Sequence, residues 1–98
     1  MYKSMENDVF FQKSQKESLT IIDVREPHEF EDEHIEGSKN MPLSSLVLDY
    51  EQLAKDQSYY VICHAGVRSV SACEFLSQEG YDVTNVKGGV ALWQGDLV

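Results

Sequence analysis

The sequence predicts an α/β domain with a mostly parallel central sheet flanked by helices on both faces. Short runs of β-favouring residues alternate with helical patterns along the chain, an order typical of a parallel sheet. The best of these runs is nearly continuous in apolar residues, as expected for a strand that is covered on both faces. The 98 residues contain no repeat and no low-complexity linker, and their number suits one domain, residues 1–98.

The first part of the chain predicts two strands, each followed by a helix. Residues 2–3 favour a short strand and residues 5–16 favour a helix. Residues 19–24 form the nearly continuous apolar run. A short acidic helix is expected over residues 27–33, because a proline stands at its first position. A brief extended piece then covers residues 39–41, before the next proline.

The clearest helical pattern of the sequence covers residues 43–55. Its apolar side chains recur at the spacing of one helix face, which predicts a single continuous helix with one buried stripe. The stripe consists of Leu43, Leu46, Val47, Tyr50, Leu53 and Ala54.

The second half of the chain predicts two more strands. Residues 59–63 form a strand that leads into a short loop, and residues 67–79 form a helix with Gly80 at its C-terminal cap. Residues 81–86 favour the last strand. A final helix is predicted to hold Val90, Leu92 and Trp93.

Composition restricts the classes of partner. Eight basic residues against 17 acidic residues give a net charge of −9. Nucleic acids and anionic membranes reward clustered Lys and Arg, so neither is an expected partner. An anionic substrate must therefore be attracted by local groups against the field of the whole molecule. A domain of this size can act as a monomer.

The cysteine spacing and the N-terminus indicate a cytoplasmic protein. Cys63 and Cys73 stand ten positions apart, and a helix between them separates their backbones too far for a disulfide. Free thiols are typical of reducing compartments. Residues 1–8 are polar where a signal peptide needs an apolar run, and no apolar run approaches the length that spans a membrane.

The loop after the strand at residues 59–63 predicts a nucleophilic cysteine in an anion-binding turn. Cys63 ends the strand, and the helix begins near Arg68. Backbone N–H groups at such a turn lack helical partners and favour an anion, so the thiol should ionise more readily than a free one. Arg68 adds a fixed positive charge and a planar donor fork. Gly66 permits a positive φ or a close backbone approach.

Other polar residues have simpler interpretations. His64 either lines the mouth of the pocket or is a solvated loop residue. Cys73 lies on the apolar side of its helix, which favours core packing. Asp23 and Arg25 end a neighbouring strand, where a structural ion pair is favoured over support of the active loop. The histidines and cysteines do not have the spacing of metal ligands, so no metal site is predicted.

Three separated stretches match a known family in their order and spacing. They are Asp23-Val24-Arg25 with Glu29-Phe30 and residues 34–42, then residues 63–69, and then Val86-Lys87-Gly88-Gly89 with Trp93. Together they resemble the single-domain rhodaneses, which are thiosulfate sulfurtransferase-like proteins. The resemblance covers about three quarters of the chain.

The resemblance implies a rhodanese-like parallel sheet and a persulfide carried on Cys63, with no cofactor. The backbone N–H groups that hold the outer sulfur map to His64, Ala65, Gly66, Val67 and Arg68. A donor such as thiosulfate would pass sulfur to Cys63, and cyanide or a thiol would then remove it. A protein donor or acceptor is also compatible with the resemblance.

Two other functions compete with this interpretation. Cysteine phosphatases and arsenate reductases have five residues between the cysteine and the arginine, whereas four lie between Cys63 and Arg68. The shorter loop makes a tighter cradle that suits one sulfur better than a tetrahedral oxyanion. A sulfur-relay or sulfur-binding module, fed by a protein donor without efficient thiosulfate turnover, is the second alternative.

Overall fold

The computed structural model describes residues 1–98, and five parallel strands form its central sheet. The strands are β1 (Lys3–Met5), β2 (Ile21–Asp23), β3 (Lys39–Asn40), β4 (Ser58–Ile62) and β5 (Asp82–Val86). Their order across the sheet is β1-β5-β4-β2-β3, and every neighbouring pair is parallel. The carboxyl ends of all strands therefore meet at one edge, with β4 in the centre. The predicted parallel sheet is confirmed.

Helices cover both faces of this sheet, as predicted. The helices are α1 (Asn7–Lys16), α2 (Pro27–Asp32), α3 (Leu46–Asp49) and α4 (Arg68–Gln78), with 3₁₀ turns at Leu43–Ser45, Tyr50–Gln52 and Val90–Leu92. On one face, Phe10 of α1 packs in a buried cluster with Ile62 and Val86. On the other face, Cys73 and Leu76 of α4 belong to a second buried cluster. None of the helices combines the length and apolarity needed to cross a lipid bilayer.

Helix α4 ends as the sequence predicts. Gly80 has a φ of +94°, and its N–H donates to the Ser77 carbonyl at 3.1 Å. The next N–H, of Tyr81, donates to the Leu76 carbonyl at 3.0 Å. These two bonds form a Schellman motif, which satisfies carbonyls that the helix leaves unpaired. The motif returns the chain directly into β5.

The continuous helix predicted over residues 43–55 is wrong. The segment is a 3₁₀ turn, the single turn α3 and another 3₁₀ turn, and Leu53 is extended with a ψ of 136°. The Tyr81 hydroxyl donates to the carbonyls of Tyr50 and Leu53 at 3.2 and 3.1 Å. A side chain from another element thus satisfies the backbone where the helix stops. Val47, predicted in the buried stripe, is 66% exposed.

The last predicted helix is also wrong, since only one 3₁₀ turn forms at Val90–Leu92. The first N–H groups of this turn donate outside it, from Val90 to the Cys63 carbonyl at 2.8 Å and from Ala91 to the His64 carbonyl at 2.9 Å. Trp93 then leaves the turn in an extended conformation. The short turn serves to attach this segment to the loop after β4.

Candidate active site

Cys63 lies where the central strand β4 ends, at the carboxyl edge of the sheet. β4 pairs with β2 as far as Ile62 and with β5 as far as Val61, so the strand that leads to Cys63 is held from both sides. The Cys63 side chain is 1% exposed and belongs to the core cluster. The residues that follow, His64, Ala65 and Val67, are exposed. The thiol therefore lies at the floor of an exposed loop.

Two polar groups contact the Cys63 sulfur. The Gly66 N–H donates to Sγ at 3.1 Å, and the thiol of Cys63 donates to the Ser69 hydroxyl oxygen at 3.4 Å. The N–H contact is the kind of interaction that stabilises a thiolate at a helix N-terminus. The loop therefore brings one backbone donor to the sulfur in the resting protein.

Gly66 combines both properties that the sequence suggested for it. Its φ is +99°, which L side chains rarely adopt. A Cβ at this position would lie 3.1 Å from the backbone nitrogen of Gly88. The loop after β4 and the turn after β5 therefore approach each other backbone to backbone.

Arg68 forms an ion pair with Glu29 of α2. Its Nη1 donates to Oε1 at 2.6 Å and its Nη2 donates to Oε2 at 2.9 Å, a bidentate arrangement. The hydrogen bonds from Arg68 lower the pKa of Glu29 from 4.5 to about 2. The pairing also raises the pKa of Arg68. The guanidinium thus stays charged and ties the start of α4 to α2.

Known proteins resemble this chain in sequence and in fold. A family model described as a rhodanese-like domain matches residues 7–96. The chain belongs to the rhodanese-like family. It is 35% identical over 80 residues to the putative sulfurtransferase YtwF of Bacillus subtilis, covering 82% of this chain and 78% of YtwF. It is 28% identical to the thiosulfate sulfurtransferase GlpE of Shewanella oneidensis, covering 94% of this chain and 92% of GlpE.

A solved structure shares the whole fold of this rhodanese-like chain. The crystal structure of a rhodanese-related protein from Thermoplasma volcanium superimposes with a TM-score of 0.90 at 36% sequence identity. The match covers 99% of this chain and 98% of the other. The fold expected from the family resemblance is therefore confirmed.

In this rhodanese-like chain, Asp23 and Arg25 pair with each other. Arg25 is 4% exposed, and its Nη2 donates to Asp23 Oδ2 at 2.8 Å and to the Glu33 carbonyl at 2.8 Å. The amide of Asn40 donates to the carbonyls of both residues. The pair therefore joins the ends of β2, β3 and α2, and its geometry favours the structural interpretation. Neither side chain hydrogen-bonds to the loop of Cys63.

The remaining candidates from the sequence are Cys73 and His64. Cys73 is fully buried, and burial together with the nearby Cys63 raises the pKa of its thiol to about 12. Both cysteines are free, as predicted. His64 is exposed; its backbone carbonyl accepts the Ala91 N–H, while its imidazole makes no hydrogen bond. Both thiols are buried, but only Cys63 lies at the floor of the loop with a backbone N–H on its sulfur, whereas Cys73 is packed in the core.

Sequence reasoning missed Asn7, which supports the turn next to the thiol. Its side-chain amide donates to the carbonyls of Lys87 and Gly89 at 2.8 and 2.9 Å. These residues lie 80 and 82 positions away along the chain. The only sequence signal was a polar residue at the start of a helix, which also suits an ordinary cap.

Sequence reasoning also missed two residues beside the sulfur. Ser69 is fully buried, and its hydroxyl donates to the side-chain oxygen of Asn85 at 2.6 Å. Asn85 is 4% exposed and lies in β5. Asparagine is depleted in strands, so Asn85 within β5 was the signal that could have indicated this contact, because a buried polar side chain needs a partner.

Proposed function

We propose that this chain is a sulfurtransferase that moves a sulfane sulfur from thiosulfate, or from a persulfide donor, to cyanide or a thiol. The observation that carries the proposal is the Gly66 N–H at 3.1 Å from the sulfur of Cys63, at the end of a central parallel strand. A buried thiol with a backbone donor is suited to hold negative charge on sulfur. The name of GlpE, a thiosulfate sulfurtransferase, supports the choice of donor.

The proposed reaction has two displacements at sulfur. The Cys63 thiolate attacks the outer sulfur of thiosulfate, a Cys63 S–S bond forms, and sulfite leaves with the electrons of the broken bond. Cyanide or a thiolate then attacks the outer sulfur of the persulfide, which forms thiocyanate or a new persulfide and returns the Cys63 thiolate. Two such half-reactions predict ping-pong kinetics.

The loop residues are proposed to act through their backbone. We expect the N–H groups of residues 64–68 to face the outer sulfur of the persulfide, as the Gly66 N–H faces the sulfur of Cys63. His64, Ala65 and Val67 direct their side chains outward, where they are exposed and leave the concave side to the backbone. The charge of Arg68 is proposed to favour the anionic donor while its bond to Glu29 holds the end of the loop.

Intact-protein mass spectrometry after thiosulfate treatment tests the proposal. We expect wild type to gain the mass of one sulfur atom and to lose it again when cyanide is added. Cys63→Ser should gain nothing, because the accepting sulfur is absent. Cys73→Ser should behave like wild type, because that thiol is packed in the core.

Two outcomes would contradict the proposal. Sulfur uptake by Cys63→Ser would place the reacting thiol elsewhere, and loss of uptake in Cys73→Ser would make the core cysteine part of the reaction. If wild type takes sulfur only from a persulfidated protein and never from thiosulfate, the chain is the protein-fed relay considered above.

A further inference from the structure

Three buried side chains form a line of hydrogen bonds that ends on the candidate nucleophile. Cys63 Sγ lies 3.4 Å from Ser69 Oγ, and Ser69 Oγ lies 2.6 Å from Asn85 Oδ1. The three residues are at most 4% exposed, so water does not compete for these contacts. They come from three consecutive elements, the end of β4, the first turn of α4, and β5.

The chemistry of these groups gives the line a direction. The carbonyl oxygen of an asparagine side chain only accepts hydrogen bonds, so the single hydroxyl proton of Ser69 is directed to Asn85. The hydroxyl oxygen of Ser69 then faces Cys63 as an acceptor. A hydrogen-bond acceptor stabilises a thiol, which can donate its proton. It does not stabilise a thiolate, which has no proton to donate. The Gly66 N–H acts in the opposite sense, because it donates to the sulfur.

We propose that Asn85 is a positioning residue that directs the hydroxyl proton of Ser69 away from the sulfur of Cys63, so that Ser69 does not donate to a thiolate there. The proposal rests on the proposed function only in taking Cys63 as the reacting thiol. When the thiolate forms, the Ser69 hydroxyl must turn toward sulfur and leave Asn85 without its donor. A buried acceptor without a donor is unfavourable, so Asn85 opposes ionisation through Ser69.

Other charged and titratable groups around the thiol also influence the ionisation of Cys63. The guanidinium of Arg68 and the thiol of Cys73 both interact electrostatically with Cys63. The other such groups on the surrounding segments are the Asp23 and Arg25 pair at the end of β2, Glu29 paired with Arg68, His64 in the loop, and Lys87 after β5, which pairs with Glu6. None of them hydrogen-bonds to the Asn85 side chain, which accepts from Ser69, so substitution of Asn85 breaks no bond to these groups.

The test is the pH midpoint of thiolate formation in the free protein, without any sulfur donor. The thiolate is followed by its ultraviolet absorbance, with the Cys63→Ser titration subtracted to remove tyrosine and Cys73. In Asn85→Leu, a near-isosteric change, Ser69 is free to donate to the thiolate. We expect the midpoint to fall by about half a pH unit or more.

A double-mutant cycle separates this effect from general damage. If Asn85 acts through Ser69, Asn85→Leu should shift the midpoint in wild type and have no effect in a Ser69→Ala background. Thr84→Val is the matched control, since Thr84 is the neighbouring buried residue of β5 and faces the other side of the sheet. Asn85→Ala provides the same comparison if the leucine variant does not fold.

These outcomes decide whether Asn85 acts on Cys63 through Ser69. A lower midpoint in the Asn85 variant that disappears without the Ser69 hydroxyl supports the proposal. An unchanged or higher midpoint, an equal fall in the Ser69→Ala background, or an equal fall in Thr84→Val overturns it. Because no sulfur donor is present, these results are independent of whether thiosulfate is used.

Discussion

Glu29 and Arg68 lie 39 positions apart in the sequence and form a bidentate ion pair beside the candidate active site. Sequence reasoning treated Arg68 as an anion-binding charge and Glu29 as part of a motif that matches the family. The structure joins them instead, with their side chains 34% and 26% exposed. A partly exposed pair contributes modestly to stability, so its larger consequence is that it fixes the orientation of the arginine fork.

The lowered pKa of Glu29 predicts a pH-dependent contribution to stability. A carboxylate with a lower pKa in the folded protein stabilises it above the unfolded value, near 4.5, and loses that contribution as pH falls toward about 2. We expect Glu29→Gln to lower the free energy of unfolding by about 1 kcal/mol at neutral pH, after allowance for solvent screening, and by much less at about pH 2. Urea unfolding at both pH values measures this difference.

Glu31→Gln is the control for that prediction. Glu31 lies on the same helix, is exposed and forms no ion pair. Its substitution should change the unfolding free energy little at either pH. A cost of Glu29→Gln that is the same at both pH values would mean that its carboxylate is not the source of the stabilisation.

At the scale of elements, the site depends on contact between the loop after β4 and the turn after β5. Gly89 has a φ of +60° and a ψ of −157°, a region that essentially only glycine occupies. A Cβ there would collide with the backbone carbonyl oxygens of Cys63 and His64. The same carbonyls accept the N–H groups of Val90 and Ala91. The turn and the loop are therefore one structural unit.

Gly89→Ala is expected to damage both stability and sulfur uptake. The added methyl group must push the loop away, which strains the backbone and moves Cys63 from the Gly66 N–H. Gly37→Ala is the matched control, because Gly37 also has a positive φ, +86°, and nothing lies within 4 Å of its Cβ position. We expect the control to cost about 1 kcal/mol of stability and to keep full persulfide formation.

Thermal unfolding and the mass gain after thiosulfate treatment measure these two effects separately. Equal behaviour of the two glycine variants would show that backbone strain alone matters at Gly89. In that case the close approach of the turn to the loop would have no part in forming the site.

At the scale of the whole molecule, the net charge of −9 opposes an anionic donor. Thiosulfate carries two negative charges, and salt screens repulsion between like charges. We expect kcat/KM for thiosulfate to rise about twofold or more from low to physiological ionic strength. Steady-state kinetics with saturating acceptor, in potassium chloride and in choline chloride, measures this effect without dependence on one cation.

A decrease of kcat/KM with increasing salt would contradict this prediction. If kcat/KM fell as salt increased, the local field of the loop and Arg68 would dominate over the net charge at the distance where the donor is captured. The sign of the slope therefore distinguishes repulsion by the whole molecule from attraction by the site.

The sequence by itself determined the features that depend on neighbouring residues. The apolar run into Cys63, the turn around Gly66 and the glycine at the end of α4 are local patterns, and the structure places each as predicted. The parallel α/β fold followed from the alternation of such patterns. The order and spacing of three motifs pointed to the family, because the combination is specific even where each motif alone is weak.

The tertiary structure alone decided which distant groups meet. The continuous helix predicted over residues 43–55 does not form, and the hydroxyl of Tyr81 bonds to backbone carbonyls where the segment turns extended. Arg68 turns to Glu29, and Ser69 turns to Asn85. Periodicity records which side of an element is buried, but it carries no information about which polar group will lie opposite. Hydrogen-bond partners are set by packing of whole elements, and these partners decide the environment of the sulfur.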